Sequence, residues 1–168
     1  MKQPTVEITP AQGVYGLFKS FAYTPWQALG EFIDNSVSSW LHTDQSATLE
    51  VEITWDPDWS DGEKFGRLTI SDNAMGIATT ELARAFELAT PPGDLSRLSQ
   101  YGVGMKVAAC WFGDHWSVTT TAFGETVKRV ITFDVGAIVS KNLRQLAVLE
   151  IPDSKDSHGT TIEITHLH

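Results

Sequence analysis

The chain has 168 residues, a single cysteine and a formal charge of −9 at pH 7, with 42% apolar and 10% aromatic residues. Such a length and composition build one globular domain around one substantial core and exclude a disordered polymer. The acidic balance argues against nucleic-acid binding by this segment alone, and the absence of a membrane-length apolar run, a signal-peptide core or a second cysteine predicts a cytoplasmic setting.

A short segment over 13–23 leads into a helical pattern over about 25–41. On that helix Glu31, Asp34, Asn35 and Ser38 fall at i, i+3, i+4 and i+7 and share a face. Leu29, Ile33, Ser36 and Trp40 lie on the opposite, mostly apolar side. Residues of the Glu, Asp and Asn type at this spacing can hold one divalent ion and one water. A solvated outer face of an ordinary amphipathic helix has the same pattern.

A strand over 47–55 and a turn over 56–62 precede a second strand ending at Ser71. From it leaves Asp72-Asn73-Ala74-Met75-Gly76-Ile77. A carboxylate just past a strand end can accept a hydrogen bond from an exocyclic amine, and Gly76 would let the backbone approach a flat ring. A plain Asx turn reads the same way. Residues 79–88 are predicted helical, with Thr79 or Thr80 as N-cap. Residues 90–100, which include Arg97, carry the breakers and small polar residues of a lid.

Gly102 and Gly104 then open a helix over 103–112 that carries Lys106 in its first turns. Free N–H groups at a helix start form an anion site, and the lysine adds a point charge. The spacing matches neither the dinucleotide fingerprint nor the Walker loop. Cys110 in this helix reads as a buried apolar thiol. Strands are predicted over 116–123, 126–134, 146–151 and 160–165, the last entered by His158-Gly159-Thr160-Thr161. Helices grouped early and strands late indicate an α+β fold with helices on one face of a mixed, mostly antiparallel sheet. The six tryptophans are expected in core and helix–sheet packing.

Four short motifs thus follow in order: Glu31/Asp34/Asn35, Asp72/Gly76, Gly102/Gly104/Lys106 and Gly159/Thr160/Thr161. Over about residues 14–165 the chain resembles the GHKL superfamily of gyrase-type topoisomerases, heat-shock chaperone ATPases, MutL proteins and histidine kinases. The stretches Ala-Leu-Gly-Glu-Phe-Ile-Asp-Asn-Ser and Tyr-Gly-Val-Gly-Met-Lys are most similar to its microrchidia-like branch. Ala74 departs from the pattern, standing where the superfamily has a glycine.

The resemblance implies a two-layer α/β sandwich of the Bergerat type that binds ATP or ADP with Mg²⁺. It implies Glu31 as the general base toward water, Asn35 as the Mg²⁺ ligand and Asp34 as an orienting neighbour. Asp72 would read the adenine amino group with support from Thr161, beside Gly76 and Ile77. Gly102, Val103, Gly104, Met105 and Lys106 would hold the phosphates under the closing lid. The whole of 1–168 then reads as one ATP-binding module of a longer protein, slow or inactive alone and working as an ATP-gated homodimer. A histidine-kinase-like phosphotransfer domain and a non-catalytic nucleotide sensor are the rival readings. The first would yield a labelled protein product, and the second no turnover.

Overall fold

Strands in which every second residue is apolar have one face to bury, and that alternation organises this chain. The computed structural model describes residues 3–8, 12–41, 48–62, 64–86 and 103–168. The expected lid over 90–100, with Arg97, and the residues Tyr101 and Gly102 lie outside these described residues. In chain order the elements are β1 (Thr5–Glu7), α1 (Gln12–Phe18), α2 (Pro25–Trp40), β2 (Val51–Asp61), β3 (Lys64–Asp72), α3 (Leu82–Phe86), α4 (Gly104–Phe112), β4 (Gly113–Thr121), β5 (Val127–Asp134), α5 (Val135–Ser140), β6 (Gln145–Pro152) and β7 (Gly159–Leu167). The strands form one seven-stranded sheet in the order β1-β6-β5-β4-β7-β3-β2. Its pairings are antiparallel, in line with the mixed, mostly antiparallel sheet that the sequence predicts.

One face of the sheet carries the core. Leu68, Ile70, Trp116, Val118, Ile131, Phe133, Ile162 and Ile164 are buried there, together with Tyr15, Phe18, Ala28, Phe32, Val107 and Ala108 from the helices. The alternate residues Ser117, Thr119, Thr132, Thr161 and Glu163 are half-buried or exposed. At the centre the Trp116 and Phe133 rings stack at 3.7 Å and 4°. The α+β sandwich therefore stands as the sequence predicts.

Several boundaries differ for identifiable reasons. β2 runs on through Pro57 to Asp61 instead of turning at 56, with a register shift between Asp56 and Ser60. Proline is tolerated because β2 is an edge strand, whose outward N–H groups have no ladder partner to lose. α5 is absent from the sequence reading, although Asp134 announces it as an N-cap, accepting from the Ala137 N–H at 2.8 Å. α1 and β1 are likewise additions. Among the six tryptophans Trp116 is fully buried and Trp111 packs against the core, as expected, whereas Trp26 and Trp55 are exposed.

α2 is also turned relative to expectation. Its buried residues are Ala28, Phe32 and Ser36, at i, i+4 and i+8, while Ile33 is exposed. This rotation brings Asn35 and Glu31 to the edge of the inward stripe and leaves Asp34 outside it.

Replacing Trp116 by Ala removes the centre of the stack and should lower unfolding free energy by about 3–5 kcal/mol. Trp26→Ala at the exposed start of α2 should change it by no more than about 0.5 kcal/mol. Urea denaturation of the two variants beside the parent measures both.

Candidate functional site

α2 starts cleanly because its first turn is satisfied locally. Pro25 follows the N-cap residue Thr24, whose N–H and hydroxyl both donate to Gln27 Oε1, at 2.9 and 2.8 Å. The helix then presents Glu31, Ser36 and Ser39 toward three other segments.

The end of β3 is the first of these. Asp72 Oδ2 accepts from the Ser36 hydroxyl at 2.7 Å. Asp72 Oδ1 accepts from the Ala74 N–H at 2.9 Å and from the Thr160 N–H at 3.2 Å. A carboxylate offers about four acceptor positions, so a fourth donor can still be received on Oδ2. Gly159 permits this junction: at φ +124°, a Cβ there would overlap the Asp72 carbonyl oxygen. Ala74 in the departing motif is buried and is not among the positive-φ residues, so this turn has no need of the superfamily's glycine.

Thr161 requires a correction. Its hydroxyl lies 2.8 Å from Ser71 Oγ, and strand alternation puts that pair on the sheet face opposite Asp72. Thr160, directly across from Asp72, shares the face of Ile162 and Ile164. Its hydroxyl lies 3.2 Å from that of the buried Thr120, which accepts from the Ile77 N–H at 2.9 Å. The period-two pattern of β7 carried this signal, since Thr160 matches the parity of the buried isoleucines.

Glu31 meets the second segment, the start of α4. Its carboxylate lies so close to Gly104 that a Cβ on that glycine would collide with Oε2. Its Oε1 accepts from the Tyr23 hydroxyl at 3.1 Å. Burial first, and the Glu31 charge next, push the Tyr23 phenol up to about 12, so it stays a protonated donor. Within α4 the first helical bond is that of the Val107 N–H to the Val103 carbonyl. The N–H groups of Gly104 and Met105 therefore have no acceptor inside the helix. The side chains of Val103 and Met105 pack against the core.

Lys106 follows Gly104 by two residues. Two residues along a helix are about 200° apart, so seating Gly104 against Glu31 carries Lys106 to the other side. It is fully buried, with its ammonium 2.8 Å from the Ala85 carbonyl. Asp34, on the outer face of α2, is exposed. The structure thus seats Glu31 on Gly104 and ties Asp72 to α2 through Ser36, while Asp34 is exposed and Thr161 lies on the other sheet face.

The loop over 73–81 is sewn to the hairpin between β4 and β5. The Met75 N–H donates to Ser39 Oγ at 3.2 Å, and the Phe123 N–H donates to the Met75 carbonyl at 2.8 Å. Gly76, at φ +66°, lies so close to Thr121 that a Cβ would overlap its carbonyl oxygen, which requires glycine here. Beyond it, Glu125 accepts from the Thr79 N–H at 3.0 Å, and the buried Arg129 donates to Glu125 at 2.6 Å and to Thr79 Oγ1 at 2.6 Å. Thr79 thus serves this latch rather than capping a helix. Burial would raise the Glu125 carboxyl, but the Thr79 and Arg129 donors outweigh it and hold it below its ordinary value. Nothing local in the sequence signals the latch, because its partners are 46 and 50 residues apart. Cys110 behaves as expected: it is buried, which pushes its thiol up to about 12.

A family model described as histidine kinase-, DNA gyrase B- and HSP90-like ATPases matches residues 23–163. The chain belongs to that family, and this domain is an ATP-binding module of the GHKL type. No curated protein matched the chain. Among the described residues no helix is long and apolar enough to cross a membrane.

The glycines divide by what they touch. Gly76→Ala and Gly159→Ala meet rigid backbone at positive φ and should each destabilise by at least about 2 kcal/mol. Gly104→Ala meets only the end of the Glu31 side chain and gains helix propensity of about 1 kcal/mol, so its melting temperature should equal or exceed the parent's. Thermal unfolding followed by circular dichroism separates the two classes.

Because the Glu125 carboxyl is lowered in the fold, its stabilisation is present above the ordinary value of 4.5 and lost as pH falls through the lowered one. The melting-temperature gap between the parent and Glu125→Gln should therefore close on acidification, as read by thermal scans at stepped pH.

Proposed function

We propose that this module binds ATP with magnesium and hydrolyses it, Glu31 acting as general base. The reading is carried by one observation: a single helix, α2, reaches both the strand-end carboxylate Asp72 through Ser36 and the start of α4 through Glu31. The remaining acceptor position on Asp72 suits the exocyclic amine of adenine, with Thr160 and Thr120 behind it and Ile77 alongside. The N–H groups of Gly104 and Met105 at the start of α4 suit phosphate oxygens.

The donor set fits magnesium carried in with the nucleotide. Asn35 is half-buried, one helical turn from Glu31, and its amide has no partner among the described residues. No group of three His, Cys, Asp or Glu among those residues could hold a metal by itself. Magnesium takes few protein oxygens when substrate phosphates and waters complete its shell, and Asn35 would supply one. Bound there, it would supply charge neutralisation to the phosphates.

Glu31 does the proton work. Its carboxylate takes a proton from water as the water oxygen bonds to the γ-phosphorus. The bond from phosphorus to the bridging oxygen breaks, and ADP and phosphate leave. The held carboxylate favours water activation over transfer to a protein histidine. The motif stretches around Glu31 and Gly104 support a microrchidia-like placement, and pairing of two copies on ATP binding rests on the family alone.

A positioned base contributes roughly 10²–10⁴ in rate. Glu31→Ala should lose turnover by that factor in a phosphate-release assay and keep its nucleotide affinity in calorimetry. Asn35→Ala should instead lose the magnesium-dependent part of that affinity. Parent-rate hydrolysis by Glu31→Ala would remove the base assignment.

A further inference from the structure

We infer that Tyr23 is a positioning residue for Glu31, its hydroxyl holding one carboxylate oxygen so that the other is aimed along the bare edge of Gly104. The inference rests on the reading of Glu31 as the base, and it deepens that reading.

A glutamate side chain turns about three bonds, and a helix by itself holds none of them. Here the carboxylate is gripped from two sides. On one, Tyr23 donates to Oε1 at 3.1 Å; on the other, Oε2 lies against the Cα of Gly104, which has no side chain to displace it. An ionised carboxylate only accepts, so the phenol must be the donor.

Tyr23 is itself anchored. The Ser20 and Phe21 N–H groups close the end of α1 on Leu17 and Phe18, at 2.9 and 3.2 Å, and the Tyr23 N–H donates to the Phe21 carbonyl at 2.8 Å. The next residue is the N-cap Thr24, held by Gln27. The ring packs against the core beside Phe21, at 6.3 Å between centroids. Tyr23 is therefore fixed from both α1 and α2, and it transmits that fixity to a carboxylate eight residues further on.

The test is Tyr23→Phe in the full chain, which keeps the ring and deletes the donor. Turnover should fall about ten- to a hundredfold, the scale set by misplacing a reacting group. Affinity for ADP and for magnesium–ATP should stay within roughly twofold, since the interaction acts on the reacting geometry and not on uniform binding. An unchanged kcat, or a fall in affinity as large as the fall in kcat, overturns the proposal.

A second readout needs no turnover. The Raman doublet that reports a tyrosine hydroxyl as hydrogen-bond donor, assigned to Tyr23 by its loss in Tyr23→Phe, should shift in Glu31→Ala protein that melts with the parent. An unshifted doublet overturns the proposal whatever the kinetics. If the parent releases no phosphate, as a module slow or inactive alone would, the doublet decides whether Tyr23 holds Glu31.

Discussion

The Asp72 carboxylate is the junction on which the arrangement of this domain depends. It receives the Ser36 hydroxyl from α2, the Ala74 N–H from its own turn and the Thr160 N–H from β7. Three chain segments far apart in sequence meet because a half-buried negative charge needs donors, and these are the donors at hand. Two oxygens occupied in this way are held in one orientation. A ligand donor arriving at the last acceptor position then finds a fixed partner, not a swinging one.

Donors alone would not let the segments meet, because ordinary side chains would keep them apart. Gly159 allows β7 to begin against Asp72, Gly76 lets the departing loop lie on Thr121, and Gly104 lets α4 start against Glu31. The three are not equivalent. Gly159 and Gly76 face backbone at positive φ and serve the fold, whereas Gly104 faces the end of the Glu31 side chain. One residue type thus answers two separate requirements, told apart only by what a Cβ would strike.

Behind the site stands a rigid support. The Trp116–Phe133 stack ties β4 to β5, and the hairpin that joins these strands carries Glu125 and Arg129 to Thr79. The loop after Asp72 is therefore fastened at Met75, Ile77 and Thr79 in succession. Buried charge on Arg129 is tolerable because two carboxylates and a hydroxyl accept its donors. Lys106 shows the other side of this economy: its ammonium serves the Ala85 carbonyl in the interior.

What the amino-acid order determined by itself was the inventory and its sequence: a Glu-x-x-Asp-Asn helix, a strand ending in Asp72, a glycine-opened helix at Gly104 and a Gly-Thr strand. The α+β class and the later strands were legible as well, because hydrophobic periodicity is a local property that survives without neighbours. Tertiary structure decided which side chains of that inventory face one another. The helix phase followed from packing Ala28, Phe32 and Ser36 against the sheet, which turned Ser36 inward and Asp34 outward. Strand parity against Asp72 selected Thr160 over Thr161, and the seating of Gly104 on Glu31 sent Lys106 to the core. Tyr23, Glu125 and Arg129 had no local signature at all, since a hydrogen bond between distant residues is a fact about folded distance, which a linear pattern does not contain.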